Sequence, residues 1–130
     1  LNVTHECKNY FEENAEYNVI YHRFKIHDNQ SEDLLSGIKE CLNFIGSWGE
    51  VDRIYLVITF LDNAIKNQGK VLVHCAQGRS RSPSIVIAYL MYRHNMTYQQ
   101  AFEVVRESRD YLHINEGFIR QLKNLELEFQ

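Results

Sequence analysis

Val71-Leu72-Val73-His74-Cys75-Ala76-Gln77-Gly78-Arg79-Ser80-Arg81-Ser82-Pro83 is the stretch that decides how this chain is read. The β-branched apolar run Val71-Leu72-Val73 follows the turn signal Gly69-Lys70 and reads as a short strand. Pro83 suits a first helical turn, and Ile85, Val86, Ala88, Tyr89 and Tyr92 recur at helical spacing beyond it. Five residues separate Cys75 from Arg81. A loop of that length between strand and helix can curl so that its amides point inward, while the helix start adds unpaired donors and the positive end of its dipole. Such a cup accepts a phosphate-sized dianion.

The residue types fit that reading. A cysteine thiol with a pKa near ~8.5 is mostly protonated at neutral pH, and a helix N-terminus with adjacent cations lowers that value by several units, so Cys75 is the candidate nucleophile. Arg81 offers a planar two-pronged donor that a lysine cannot reproduce. Gly78, in mid-loop, can take a positive φ and let the backbone approach a ligand closely. The backbone of Ala76, Gln77, Gly78, Arg79, Ser80 and Arg81 supplies the lining of the cup. Ser82 can donate to the sulfur when it leaves, and His74, outside the cup, is expected to orient the loop through its ring nitrogens. The plainer alternative is a buried free cysteine on a core strand with an arginine nearby on the surface.

His-Cys, five residues, Arg-Ser resembles the signature of the cysteine-dependent protein tyrosine phosphatases. The flanking Val71-Leu72-Val73 and Ser82-Pro83-Ser84, followed by Ala88-Tyr89-Leu90-Met91, narrow the resemblance to the dual-specificity branch. The resemblance implies an α/β fold with a central, mostly parallel sheet flanked by helices. It implies a two-step reaction in which Cys75 forms a cysteinyl-phosphate that water then cleaves, with no metal or other cofactor. It implies phosphorylated proteins as substrates, at tyrosine and at serine or threonine. It also implies a general-acid aspartate on a loop after a strand, for which Asp28 in His27-Asp28-Asn29-Gln30 is the candidate, with a turn residue as the plainer reading. Near the C-terminus the family's Pro-Asn-x-Gly-Phe reads here as Ile114-Asn115-Glu116-Gly117-Phe118, which leaves Asn115 available to brace the phosphate-binding loop. Arg79 inside the loop keeps two further readings open: a surface cation, or a specificity residue as in relatives acting on phosphoinositides, phosphatidylglycerophosphate or phospho-glucans. A phospho-binding pseudophosphatase is a third class, usually marked by loss of the cysteine, which is present here.

The rest of the sequence agrees with one ordinary core: 130 residues, 45% hydrophobic and 24% charged, with one proline. A net charge of −3 without a basic run argues against a nucleic-acid partner. No apolar run reaches membrane-spanning length. Cys7, Cys41 and Cys75 are odd in number and lack paired metal-ligand spacing, so free thiols in a reducing compartment, cytoplasmic or nuclear, are expected. Cys7 and Cys41 read as packing residues, with a redox role for either left open, and nothing in the sequence fixes the oligomeric state.

Along the chain, residues 1–4 and 20–26 read as strands, the second with Ile20, His22, Phe24 and Ile26 on one face and Tyr21, Arg23 and Lys25 on the other. Ser31 is expected to cap a helix carrying Leu34, Leu35, Ile38, Leu42 and Ile45, with Glu32 and Asp33 in its first turn. Residues 46–49 break it, and 51–66 read as a further helix. Thr97 with Gln100 forms a capping box, and a last helix runs from about 115 to 129. The 46 residues between Asp28 and Cys75 exceed the usual spacing of the family. An extra segment around 35–55 is therefore expected, as a surface helix or a substrate arm. The chain opens without methionine inside a strand similar to the family's Leu-Asn-Val-Thr, so a single catalytic domain over 1–130 lacking some upstream strands is expected.

Overall fold

A computed structural model describes residues 1–13, 16, 19–34 and 61–129 of the chain. The expected helices over 35–45 and 51–60, the extra segment around 35–55 and Cys41 lie outside the described residues. Within them, the chain at Asn2 runs parallel to two neighbours, bridging Arg23 on one side and His74 on the other. The Asn2 amide donates to His22 O at 2.9 Å and the Phe24 amide to Asn2 O at 2.8 Å. On the opposite side the His74 amide donates to Leu1 O at 3.0 Å and the Val3 amide to His74 O at 2.9 Å. These are single bridges, not a continuous ladder.

Burial follows the pairing. Leu1, Asn2, Val3 and Thr4 are all buried, as the middle member of three neighbouring segments must be. Along 23–26 the alternation predicted from sequence holds, with Phe24 and Ile26 buried and Arg23 and Lys25 exposed. It fails one step earlier, since Ile20 is 81% exposed. Only the part of that segment flanking the bridge packs on the core.

Three helices are described in full: Arg81–His94, Tyr98–Ser108 and Glu116–Phe129. The first is buried nearly all round, through Ile85, Ile87, Ala88, Tyr89 and Met91 as well as its first turn. Tyr92, counted in the apolar stripe from its spacing, is exposed instead. The helix ends at Asn95, which adopts the left-handed conformation at φ 52°, with Arg93 and His94 offsetting the dipole in the last turn. The predicted capping box is present, with Thr97 accepting from the Gln100 amide and the Gln100 side chain accepting from the Thr97 amide. Residues 61–66 are helical, and Asp62 ties them to the Arg81–His94 helix through Tyr89 Oη at 2.9 Å and Arg93 Nε at 3.2 Å.

The start of the last helix falls within one residue of the prediction. Asn115 caps it, its Oδ1 accepting from the Phe118 amide at 2.9 Å. Ser31 does not begin a helix: the chain stays non-helical through Leu34, so Glu32 and Asp33 do not occupy a first helical turn. Instead the Ser31 amide and hydroxyl donate to Asn29 Oδ1 at 3.0 and 2.8 Å, an Asx turn that competes with helix initiation. This turn is pinned by the last helix. Gln121 accepts from the Leu34 amide at 2.7 Å and donates to Glu32 O at 2.8 Å, and a Cβ on Gly117 would stand 2.2 Å from Gln30 O. Only glycine lets the helix come that close.

Candidate active site

Three parallel neighbours deliver their following residues to one end, where ligands of α/β folds gather. Glu6 lies two residues beyond Thr4, Asp28 two beyond Ile26, and Cys75 directly after His74. The turn that carries Glu6 is built by the buried Asn2 side chain, which donates to Cys7 O and Asn9 Oδ1 and accepts from the Thr4 amide and hydroxyl. Cys7 O also accepts from Arg23.

The loop 75–80 wraps around the Cys75 sulfur. The Gly78 amide donates to Sγ at 3.2 Å, and the Ser82 hydroxyl lies 3.3 Å from it. Burial pushes the Cys75 thiol up, but the Ser82 side chain and the backbone amides of Ser82, Gly78 and Gln77 outweigh it and hold the thiol below its ordinary value. Gly78 has φ +66°, the left-handed region that turns its amide inward. Arg79 lies over the Tyr111 ring, 4.5 Å from its centroid, and donates weakly to Gln77 at 3.4 Å. His74 acts through its backbone. Its amide and carbonyl pair with Leu1 and Val3, and among the described residues no hydrogen bond of its ring is seen.

Arg81 is buried at the helix start and its far edge is held by a carboxylate. Nη1 and Nη2 donate to the two Glu6 oxygens at 2.9 and 2.7 Å, and Nη1 donates also to Ile26 O at 3.2 Å. The Arg81 hydrogen bond draws the Glu6 pKa down to about 2. Arg81 Nε is buried and has no partner among the described residues, and the same holds for Arg79 Nε. An unsatisfied buried donor costs ~1–3 kcal/mol, a penalty that an acceptor in the cup would remove.

Asp28 meets the loop from the side. Its Oδ1 accepts from the Ser80 hydroxyl at 2.7 Å and from Asn115 Nδ2 at 2.8 Å, and the Asn115 amide donates to Ser80 Oγ at 3.2 Å. Ser80 therefore spends its hydroxyl on Asp28 and not on capping the Arg81–His94 helix. Cys75, Arg81, Ser82, Asp28 and Asn115 are thus brought to one place. A small cavity of about 310 Å³ opens beside them, lined by Asp28, Gln30, His113, Ile114, Asn115 and Glu116.

Compared with known families, residues 49–128 match the catalytic domain of dual specificity phosphatases. The chain belongs to the dual specificity phosphatase family. Dual specificity protein phosphatase 1B of Arabidopsis thaliana is 38% identical over 111 residues, 85% of this chain and 57% of the relative. Crystal structures agree: human DUSP28 superposes with a TM-score of 0.76 at 26% identity, covering 99% of this chain and 76% of the other. PTPMT1 in complex with PI(5)P superposes at 0.56, with 29% identity over 58% of this chain and 49% of that one. The fold is therefore that of the protein tyrosine phosphatases. The chain spans 37%, 21% and 57% of the length of three curated dual specificity phosphatases that it matches.

Two side chains of this dual specificity phosphatase site had no reading in the sequence. Glu6 stands in a polar stretch without local pattern, and only the parallel arrangement of 1–3, 22–24 and 72–74 sends it toward Arg81. Arg109 closes the Tyr98–Ser108 helix and lies over the loop, its Nη2 2.6 Å from where a Cβ on Gly78 would stand. Among the described residues no group of three His, Cys, Asp or Glu could hold a metal ion, and no helix is long and apolar enough to cross a membrane.

Proposed function

We propose that this chain hydrolyses phosphate monoesters on proteins, at phosphotyrosine and at phosphoserine or phosphothreonine, through a cysteinyl-phosphate. The observation that carries this reading is the Cys75 sulfur held by the Gly78 amide and the Ser82 hydroxyl at the mouth of a donor-lined loop. In the first step the Cys75 thiolate attacks phosphorus, the bond from phosphorus to the ester oxygen breaks, and Asp28 protonates the departing oxygen. In the second step water attacks phosphorus, the sulfur–phosphorus bond breaks, Asp28 takes the water proton, and Ser82 donates to the departing sulfur. Arg81 and the amides of 76–81 bind the equatorial oxygens in both steps. Asn115 and Ser80 hold Asp28 against the loop.

The same reading extends the two parallel bridges into a central, mostly parallel sheet within one catalytic domain. Free Cys7 and Cys75 suit a reducing compartment, cytoplasmic or nuclear. Turnover of p-nitrophenyl phosphate and of phosphotyrosine and phosphothreonine peptides by the wild type, lost in Cys75→Ser, is the test, and a wild type inert toward all three would sink the reading. A second reading, a phosphoinositide substrate, draws on the likeness to PTPMT1 in complex with PI(5)P and on the Arg79 guanidinium at the loop. Faster turnover of phosphoinositides than of phosphopeptides would favour it.

A further inference from the structure

Asp28 is tethered through one atom. Its Oδ1 accepts from the Ser80 hydroxyl at 2.7 Å and from Asn115 Nδ2 at 2.8 Å, and among the described residues no hydrogen bond of Oδ2 is seen. Two donors on a single oxygen hold that oxygen and leave the carboxyl free to swing about it, so the direction of Oδ2 depends on where the backbone delivers Asp28. That backbone is tied on both flanks: Ile26 O accepts from Arg81 Nη1 at 3.2 Å, and beyond Asp28 the Asn29 side chain closes its turn on Ser31. Between the two, neither His27 nor Asp28 makes a backbone–backbone hydrogen bond among the described residues. A ring contact spans this gap. His27 stacks on His5, with centroids 3.9 Å apart and planes tilted by 37°.

The parallel register creates the contact. Asn2 bridges Arg23, so three residues further on His5 comes opposite Ile26, one residue short of His27. His5 is held in its own turn, with Nδ1 3.0 Å from Glu6 Oε2 and the Cys7 amide donating to Thr4 Oγ1 at 3.0 Å. His27 is exposed, so its ring is held by this neighbour and not by the core.

We propose that His27, stacked on His5, is a positioning residue for the proposed acid: the ring pair fixes the path of the chain into Asp28, and with it the aim of Oδ2 at the leaving-group oxygen. The inference rests on the phosphatase reading, with Asp28 as its acid. An aromatic pair of this kind shifts an equilibrium by about two- to tenfold, which sets the scale of the effect.

His27→Ala should lower kcat for a phosphotyrosine peptide by about two- to tenfold with KM little changed, and lower that for p-nitrophenyl phosphate less, because only the first leaving group depends on the acid. His27→Phe restores a ring that can stack on His5 and should recover most of the loss. His5→Ala should lower the ratio of the two rates as His27→Ala does. In an Asp28→Asn background, His27→Ala should cost less than about twofold further, since the group that the stack aims is gone. Equal losses on both substrates, a phenylalanine variant as slow as the alanine one, or the full loss repeated beside Asp28→Asn would each overturn the proposal. So would an Asp28→Asn enzyme without leaving-group dependence. Failure of the phosphatase reading itself would appear separately, as a wild type that turns over no phosphate ester.

Discussion

The Ser80 hydroxyl donates to Asp28 Oδ1 at 2.7 Å across 52 residues of sequence, so the phosphate loop and the turn carrying the proposed acid are directly joined. Asp28→Asn should slow phosphotyrosine turnover by about 10²–10⁴-fold, and p-nitrophenyl phosphate, whose leaving group needs little protonation, far less. Asp33→Asn, in the same segment but outside these contacts, should leave both rates near wild type. A loss at Asp28 uniform across leaving groups would remove it from proton transfer.

The thiol makes the second prediction. Because Cys75 is held below its ordinary value, its alkylation rate should reach half of its plateau at a lower pH than that of an unperturbed cysteine in a model peptide. Ser82→Ala removes the largest of the lowering hydrogen bonds and should move that midpoint upward. It should also let phospho-enzyme accumulate, seen as a burst in rapid-quench turnover. An unmoved midpoint would mean the Ser82 contact contributes nothing to the thiolate.

Arg81→Lys should be nearly as damaging as Arg81→Ala in both kcat and phosphate affinity, since a point charge cannot supply a two-pronged donor or hold both Glu6 oxygens. Near-normal kinetics in the lysine variant would reduce Arg81 to a neighbouring charge.

Gly117→Ala places a methyl group 2.2 Å from Gln30 O, where backbone must move. Overpacking of this kind costs ~1–3 kcal/mol, and the displaced turn is the one that carries Asp28. The melting temperature should fall, and phosphotyrosine turnover should fall more than that of p-nitrophenyl phosphate. Unchanged stability and rates would show that the turn yields freely.

Glu6 gives an acid-stability prediction. Its folded pKa of about 2 lies below the ordinary 4.5, so its contribution is present above pH 4.5 and is lost as pH falls toward 2. The carboxylate is 39% exposed, so solvent screening makes the effect modest. Urea midpoints of wild type and Glu6→Gln should therefore converge between pH 4.5 and 2. Parallel curves across that window would contradict the assigned pKa.

What the sequence made legible was local. The positive φ of Gly78, the Thr97–Gln100 capping box and the onset of the last helix each depend on residues within one turn of one another. What it missed depends on chain neighbours far apart. Ser31 read as a helix cap because its position before Glu32 and Asp33 is typical of one, yet Asn29 competes for it two residues away. Ile20 and Tyr92 fit their periodic patterns but sit where the pattern outruns the core. Glu6 had no pattern at all, and a parallel register with 72–74 is what gives it a partner 75 residues on.

Asn115 holds two unlike groups with the two ends of a single amide. Its oxygen accepts from the Phe118 N–H that opens the last helix, and its nitrogen donates to the Asp28 carboxylate. Those ends are not interchangeable, since a flipped amide would set oxygen against carboxylate and N–H against N–H. The side chain therefore works as a polarity lock. Replacing its nitrogen by oxygen, as in Asn115→Asp, preserves shape and helix cap while turning an attraction at Asp28 into a clash of like charges. Folding of the C-terminal helix and seating of the Asp28 turn would then be separable by one atom.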